Sequence, residues 1–155
     1  MLVLMTGCSS ERTEGNASPG GKTPSATVSS GSPFTIPTAT TGAPCVESPR
    51  LPPDQALRGT AEGGELWALG GQPRVGEDFK LVVRVTGSGE LSAVAVSPTG
   101  SRHDPTATQE HLSSNFDRPG DEWGLFFVFD QAGCWQIVVE RADLEGFITI
   151  AVAST

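Results

Sequence analysis

From residue 45 onward, glycine cuts the chain roughly every 10–15 residues into short apolar or alternating runs. No window between the cuts sustains a 3.6-residue apolar period, so an amphipathic helix has nowhere to form. Strands are what remain. Glu65 to Leu69 reads ELWAL, and Phe79 to Val85 puts Phe79, Leu81, Val83 and Val85 on one face against Lys80 and Arg84 on the other. Gly87-Ser88-Gly89 turns into Leu91 to Val96, and the almost wholly apolar Gly124 to Phe129 suits a strand covered on both faces. Asp130 to Gly133 leads into Cys134 to Glu140, with Trp135, Ile137 and Val139 sharing a face. Asp143 to Gly146 leads into Phe147 to Ala153. Six or seven short strands joined mostly by hairpins predict an all-β fold, an antiparallel two-sheet immunoglobulin-like sandwich over 45–155.

One stretch breaks the rhythm. Pro98 to Glu122 is polar for about 25 residues, a length that compact domains reserve for functional or mobile connections. It has room for one short edge strand around Gln109 to Leu112.

Residues 9–44 are a different polymer. From Ser9 to Pro44 about 28 of 36 residues are Ser, Thr, Gly, Pro or Ala, and Glu11 and Glu14 balance Arg12 and Lys22. With Phe34 and Ile36 its only large hydrophobes, segment 9–44 cannot offset its ordering entropy and reads as a disordered linker. Those two side chains can brush the domain, but they make no core. All of the chain's net charge of −8 therefore sits in 45–155, which holds about 8 basic and 16 acidic residues. An acidic domain poor in Lys and Arg excludes a nucleic-acid binder that relies on basic phosphate contacts. The chain has no run of apolar residues long enough to span a bilayer.

Residues 1–8 read Met-Leu-Val-Leu-Met-Thr-Gly-Cys, and Met5-Thr6-Gly7-Cys8 is similar to the lipobox of bacterial lipoproteins. Met5 stands where Leu is commonest, and the apolar stretch ahead of Thr6 is shorter than an export signal's core. Either the true start lies upstream or the sequence is a shortened piece. The resemblance implies cleavage before Cys8 and a diacylglyceryl group on its sulfur, anchoring the chain to the outer face of the cell membrane. Multiple acyl chains hold where one would be marginal. A flexible 9–44 linker would then reach roughly 30–36 Å from the bilayer, and its Ser/Thr/Pro composition also suits O-glycosylation.

With Cys8 lipidated, Cys45 and Cys134 are left as an even pair in an oxidising compartment, and a disulfide between them is the parsimonious reading. The alternative is two reduced thiols. The spacing is not that of an antibody domain, whose cysteines both lie on core strands. Trp123 to Val152 resembles the closing hairpins of small secreted bacterial β-sandwich lipoproteins, which implies fold rather than activity. The bias of Arg over Lys points to a GC-rich, actinobacterial source.

Candidate chemistry is sparse. His103, Asp104, Glu110 and His111 are four metal-ligand types within nine residues, without the tight His spacing of a zinc site. Asp117, Asp121 and Glu122 offer hard oxygens for calcium, but Arg118 and Pro119 interrupt them. No Gly-x-Ser-x-Gly elbow is present, and Ser113-Ser114 beside His111 is only loop composition. A sugar site would want aromatic platforms, yet Tyr is absent; Trp67 and Trp135 read as core, and Trp123 beside Asp121 and Glu122 as the exposed one. No cofactor is expected. The sequence thus predicts a monomeric, non-enzymatic binding module for a cell-envelope protein or cell-wall partner. Its contact surface would be the 98–122 stretch with Asp121, Glu122 and Trp123, or an exposed sheet edge. The alternatives are a small-ligand or metal carrier using the same stretch, and a cell-wall-associated hydrolase.

Overall fold

The computed structural model describes residues 34–35, 44–112 and 115–155. The Cys8 motif lies outside the described residues, as does the 9–44 linker except for Phe34, Thr35 and Pro44. Alternation and turn chemistry dictate strands throughout, and no helix occurs among the described residues. The strands are β1 (Arg50–Leu51), β2 (Ala56–Arg58), β3 (Thr60–Glu62), β4 (Leu66–Leu69), β5 (Asp78–Val85) and β6 (Ser92–Val96). They continue as β7 (Arg102–His103), β8 (Ala107–His111), β9 (Asp121–Val128), β10 (Gly133–Arg141) and β11 (Leu144–Val152).

Two antiparallel sheets result. Sheet A runs β1-β2-β4-β5-β9-β8, and sheet B runs β3-β11-β10-β6-β7. Strands β4, β5, β6, β9, β10 and β11 coincide with the six segments legible as strands in the sequence. Among the described residues the strands number eleven rather than six to seven. The additional strands, β1, β2, β3, β7 and β8, are two to five residues long, too short or too polar to show a period, and are fixed by the strand beside them. The 98–122 stretch is likewise not one loop, because β7 and β8 occupy its middle. The short edge strand expected near Gln109 is β8.

Strand β5 carries the predicted alternation: Phe79, Leu81, Val83 and Val85 are buried between the sheets, while Asp78 and Lys80 face water. Across from it in sheet A, β9 contributes Leu125 and Phe127 to the core. Its outward residues are not equally covered, since Phe126 is half-buried and Val128 is exposed. The expectation that β9 is covered on both faces therefore fails; sheet A's outer face is open at that point. Strand β10 is the one sealed on both sides, with Trp135, Ile137 and Val139 inward and Gln136 and Val138 also buried.

Trp135 is fully buried, its ring centroid 4.8 Å from that of Phe129, and its Nε1 donates to the Gln131 carbonyl at 3.0 Å. That bond satisfies the indole's one donor, so the ring can be buried without an orphaned polar group. Gly133 introduces β10 at φ +129°, where a Cβ would fall 2.8 Å from the Pro98 ring. Glycine is required there on both counts.

The incoming chain is fastened to β10 and β11 of sheet B. Cys45 and Cys134 form a disulfide, with Cα atoms 5.1 Å apart. Ser48 and Thr149 exchange hydrogen bonds, Ser48 N to the Thr149 carbonyl and Thr149 N to Ser48 Oγ, both 2.9 Å. Further back, the Phe34 ring lies 5.9 Å from Phe147 on β11. That contact is the brush against the domain expected of Phe34. The disulfide spans 89 residues, and cross-linking a loop of that size stabilises by up to about 4–5 kcal/mol in the chain-entropy model. Urea unfolding of a Cys45→Ser/Cys134→Ser variant, followed by tryptophan fluorescence, is expected to show a lower midpoint with a loss approaching that figure.

Candidate interaction surface

Alternation along β9 separates the three residues expected to form one surface. Trp123 points between the sheets and packs, half-buried, against the main core, so its expected exposure does not hold. Its neighbours face the other way or outward. Glu122 is buried on the outer side of sheet A, where Oε1 lies 2.8 Å from His111 Nδ1. Asp121 is exposed and meets Arg141 Nη1 at 2.8 Å. Asp121, Glu122 and Trp123 are therefore structural contacts in three different places.

The histidine-centred grouping is also dispersed. His103 lies on β7 at the edge of sheet B, its ring 5.0 Å from Trp135 and its Nε2 4.0 Å from Asp130 Oδ2. His111 lies on β8 at the edge of sheet A, flanked by Glu122 and by Lys80 Nζ at 3.4 Å from Nε2. Asp104 and Glu110 are exposed, and opposite Glu110 across the ladder stands Trp123. Among the described residues no three His, Cys, Asp or Glu side chains gather to hold a metal ion. Asp117 lies in the connection after β8, apart from paired Asp121 and buried Glu122.

What the outer face of sheet A does carry is an arginine-clasped tryptophan. Trp67 on β4 is buried, but outside the inter-sheet core, in a second cluster with Ala56 and Phe116. The Arg58 guanidinium sits 4.4 Å from its ring and that of Arg118 sits 4.1 Å from it. Its Nε1 donates to Glu65 Oε2 at 2.9 Å. Two cations and a satisfied N–H complete the cover that this small apolar cluster gives an indole on a sheet's outer face.

Arg118, with Arg84, also pins the chain entering β9. Arg118 donates to both carboxylate oxygens of Asp54, at 2.6 and 3.0 Å, and to the Pro52 carbonyl at 2.9 Å. Arg84 donates to the carbonyls of Phe116 and Gly120. Gly120 adopts φ +98° with its Cα so close to Val85 that a Cβ would fall 2.3 Å from that residue's carbonyl. Glycine alone allows the chain to lie that flat. A cleft of about 430 Å³ is left between Pro53, Asp54, Leu69 and residues 115–118.

At the other end of the sandwich, three carboxylates fall in register. Glu62 stands opposite Glu145, and Glu145 opposite Glu140, across β3, β11 and β10. They border a second cleft of about 420 Å³ with Gly63, Arg141 and Asp143. Directly opposed like charges cost stability.

Comparison with protein-family models, curated proteins and solved structures finds no match.

Neither the clasp nor the carboxylate row was visible in the sequence. Arg118 reads there only as an interruption between acidic residues, and Glu62 is far from Glu140 along the chain. Strand register, which no local pattern encodes, brings them together.

Asp54 has the altered titration. The Arg118 guanidinium hydrogen-bonded to it holds its carboxyl down at about 2, against an ordinary 3.8. A depressed folded-state pKa means that stabilisation is complete above the ordinary value and is lost as pH falls toward about 2. Asp54→Asn is therefore expected to lower the melting temperature at neutral pH and to match the parent near pH 2. Thermal melts across the acid range read the converging curves directly.

Proposed function

We propose that this chain is a lipid-anchored, extracytoplasmic β-sandwich that binds a partner at the cell envelope and does no chemistry of its own. The Cys45–Cys134 disulfide carries the reading. Structural disulfides belong to oxidising compartments, and this one closes where the Ser/Thr/Gly/Pro-rich segment gives way to the domain. The Met5-Thr6-Gly7-Cys8 sequence supplies the means of anchoring: acylation of Cys8 after cleavage, with the following residues as leash. The acidic excess of the domain keeps it soluble and repelled from anionic lipid, leaving its surface free for a cell-envelope protein or cell-wall partner.

Intact mass of the protein extracted from native membranes tests all parts together. Expected are loss of the residues before Cys8, a diacylglyceryl addition on Cys8, and a deficit of about two mass units for the bridge. A full-length, unacylated, reduced chain recovered from the cytoplasm would overturn the reading.

A further inference from the structure

Each sheet of an open sandwich has two edges, and unpaired backbone groups along an edge invite another strand. Three of the four edges here are blunted. β1 has two residues, closed in by Pro49 and Pro52. β7 has two, with Pro105 soon after it, and β3 has three before Gly63 and Gly64 end it. Among the described residues the fourth edge, β8, has none of these guards. It runs five residues, Ala107 to His111, without proline, lysine or bulge, in unbroken register with β9. All but His111 are exposed.

Exposed apolar side chains stand at the two ends of that otherwise polar edge. Leu112, directly after β8, is 95% exposed, and Val128 on the adjacent strand is 44% exposed. Glu110 is the one carboxylate on the strand, whereas the carboxylate row of Glu62, Glu145 and Glu140 lies on the other sheet.

The geometry points to a second copy of this chain as the occupant, joined by antiparallel pairing of β8 with itself about a two-fold axis through Gln109. Same-face pairing requires residues of equal parity to meet. This register sets Gln109 against Gln109, Thr108 against Glu110, and Ala107 against His111. No like charges are directly opposed, so the arrangement avoids the penalty that a register centred on Glu110 would incur. The two sheets A become one continuous sheet of twelve strands, the interface is isologous and closed, and the unguarded edge disappears. This deepens the reading of the domain as a binding module by naming the edge and its occupant. It does not depend on acylation, which the mass measurement addresses separately.

Sedimentation velocity of the full chain carrying Cys8→Ser, across a dilution series, tests the pairing. A dimer that dissociates on dilution is expected. Gln109→Lys, which sets lysine against lysine on the axis, is expected to yield a monomer whose melting temperature matches that of the parent diluted to monomer. Under mild oxidation Gln109→Cys is expected to cross-link to itself, while Thr108→Cys, facing Glu110 of the other copy, is not. A parent that stays monomeric throughout the series would sink the proposal, including one whose edge takes a strand from a different protein. So would a Gln109→Lys variant that remains dimeric, or Thr108→Cys cross-linking as readily as Gln109→Cys.

Discussion

Everything in the sandwich is arranged around the burial of Trp135 between the two sheets. The indole is fully enclosed and touches Phe129, which in turn stacks on Phe127 and meets Phe79. This aromatic group joins β10 of sheet B to β5 and β9 of sheet A, so its burial is what makes two sheets into one core. Large aromatic side chains supply the greatest buried area per residue, and a domain of this size has few alternatives. The turn before β10 serves the same end: Gly133 permits the approach, and Gln131 accepts the indole proton.

Outside that core, arginine completes the cover over a small apolar cluster. Arg58 and Arg118 cover Trp67, and Arg84 and Arg118 fasten residues 116–120 and the Pro52–Asp54 turn through backbone carbonyls and one carboxylate. Planar, multiply donating guanidinium groups can stack on a ring and donate at their rims simultaneously. Lysine could not replace them here. An acidic domain with about eight basic residues has thus placed three of them in one cluster.

The fold was largely legible because it rests on local signals. Alternation in β5 and β10, and the glycine turns between runs, are read from neighbouring residues, and both sheets follow from pairing such runs. The disulfide was legible by counting cysteines. The surface was not. Trp123 reads as exposed because Asp121 and Glu122 precede it, yet parity along β9 turns it inward. Trp67 reads as core because it sits in ELWAL, yet the same parity turns it outward beneath arginines from other segments. His103 and His111 are close in sequence but belong to opposite sheets. Each of these depends on register, a property of strand pairs that are far apart in the chain.

The position of the disulfide also decides how the domain carries mechanical load. A pull arriving along the residues before Cys45 passes through the sulfur–sulfur bond into β10, a central strand of sheet B. The covalent path then bypasses residues 46–133, so tension from that end cannot draw out β1 to β9 while the bond is intact. Extension is limited to the short stretch beyond Cys134, which is held by the longest ladder in the molecule, β10 against β11. Reduction of that bond would shift the pulling point to the Ser48–Thr149 hydrogen bonds and then to the short, weakly paired β1 at the rim of sheet A. One covalent link therefore separates a domain that resists being stretched from one that unravels from its edge.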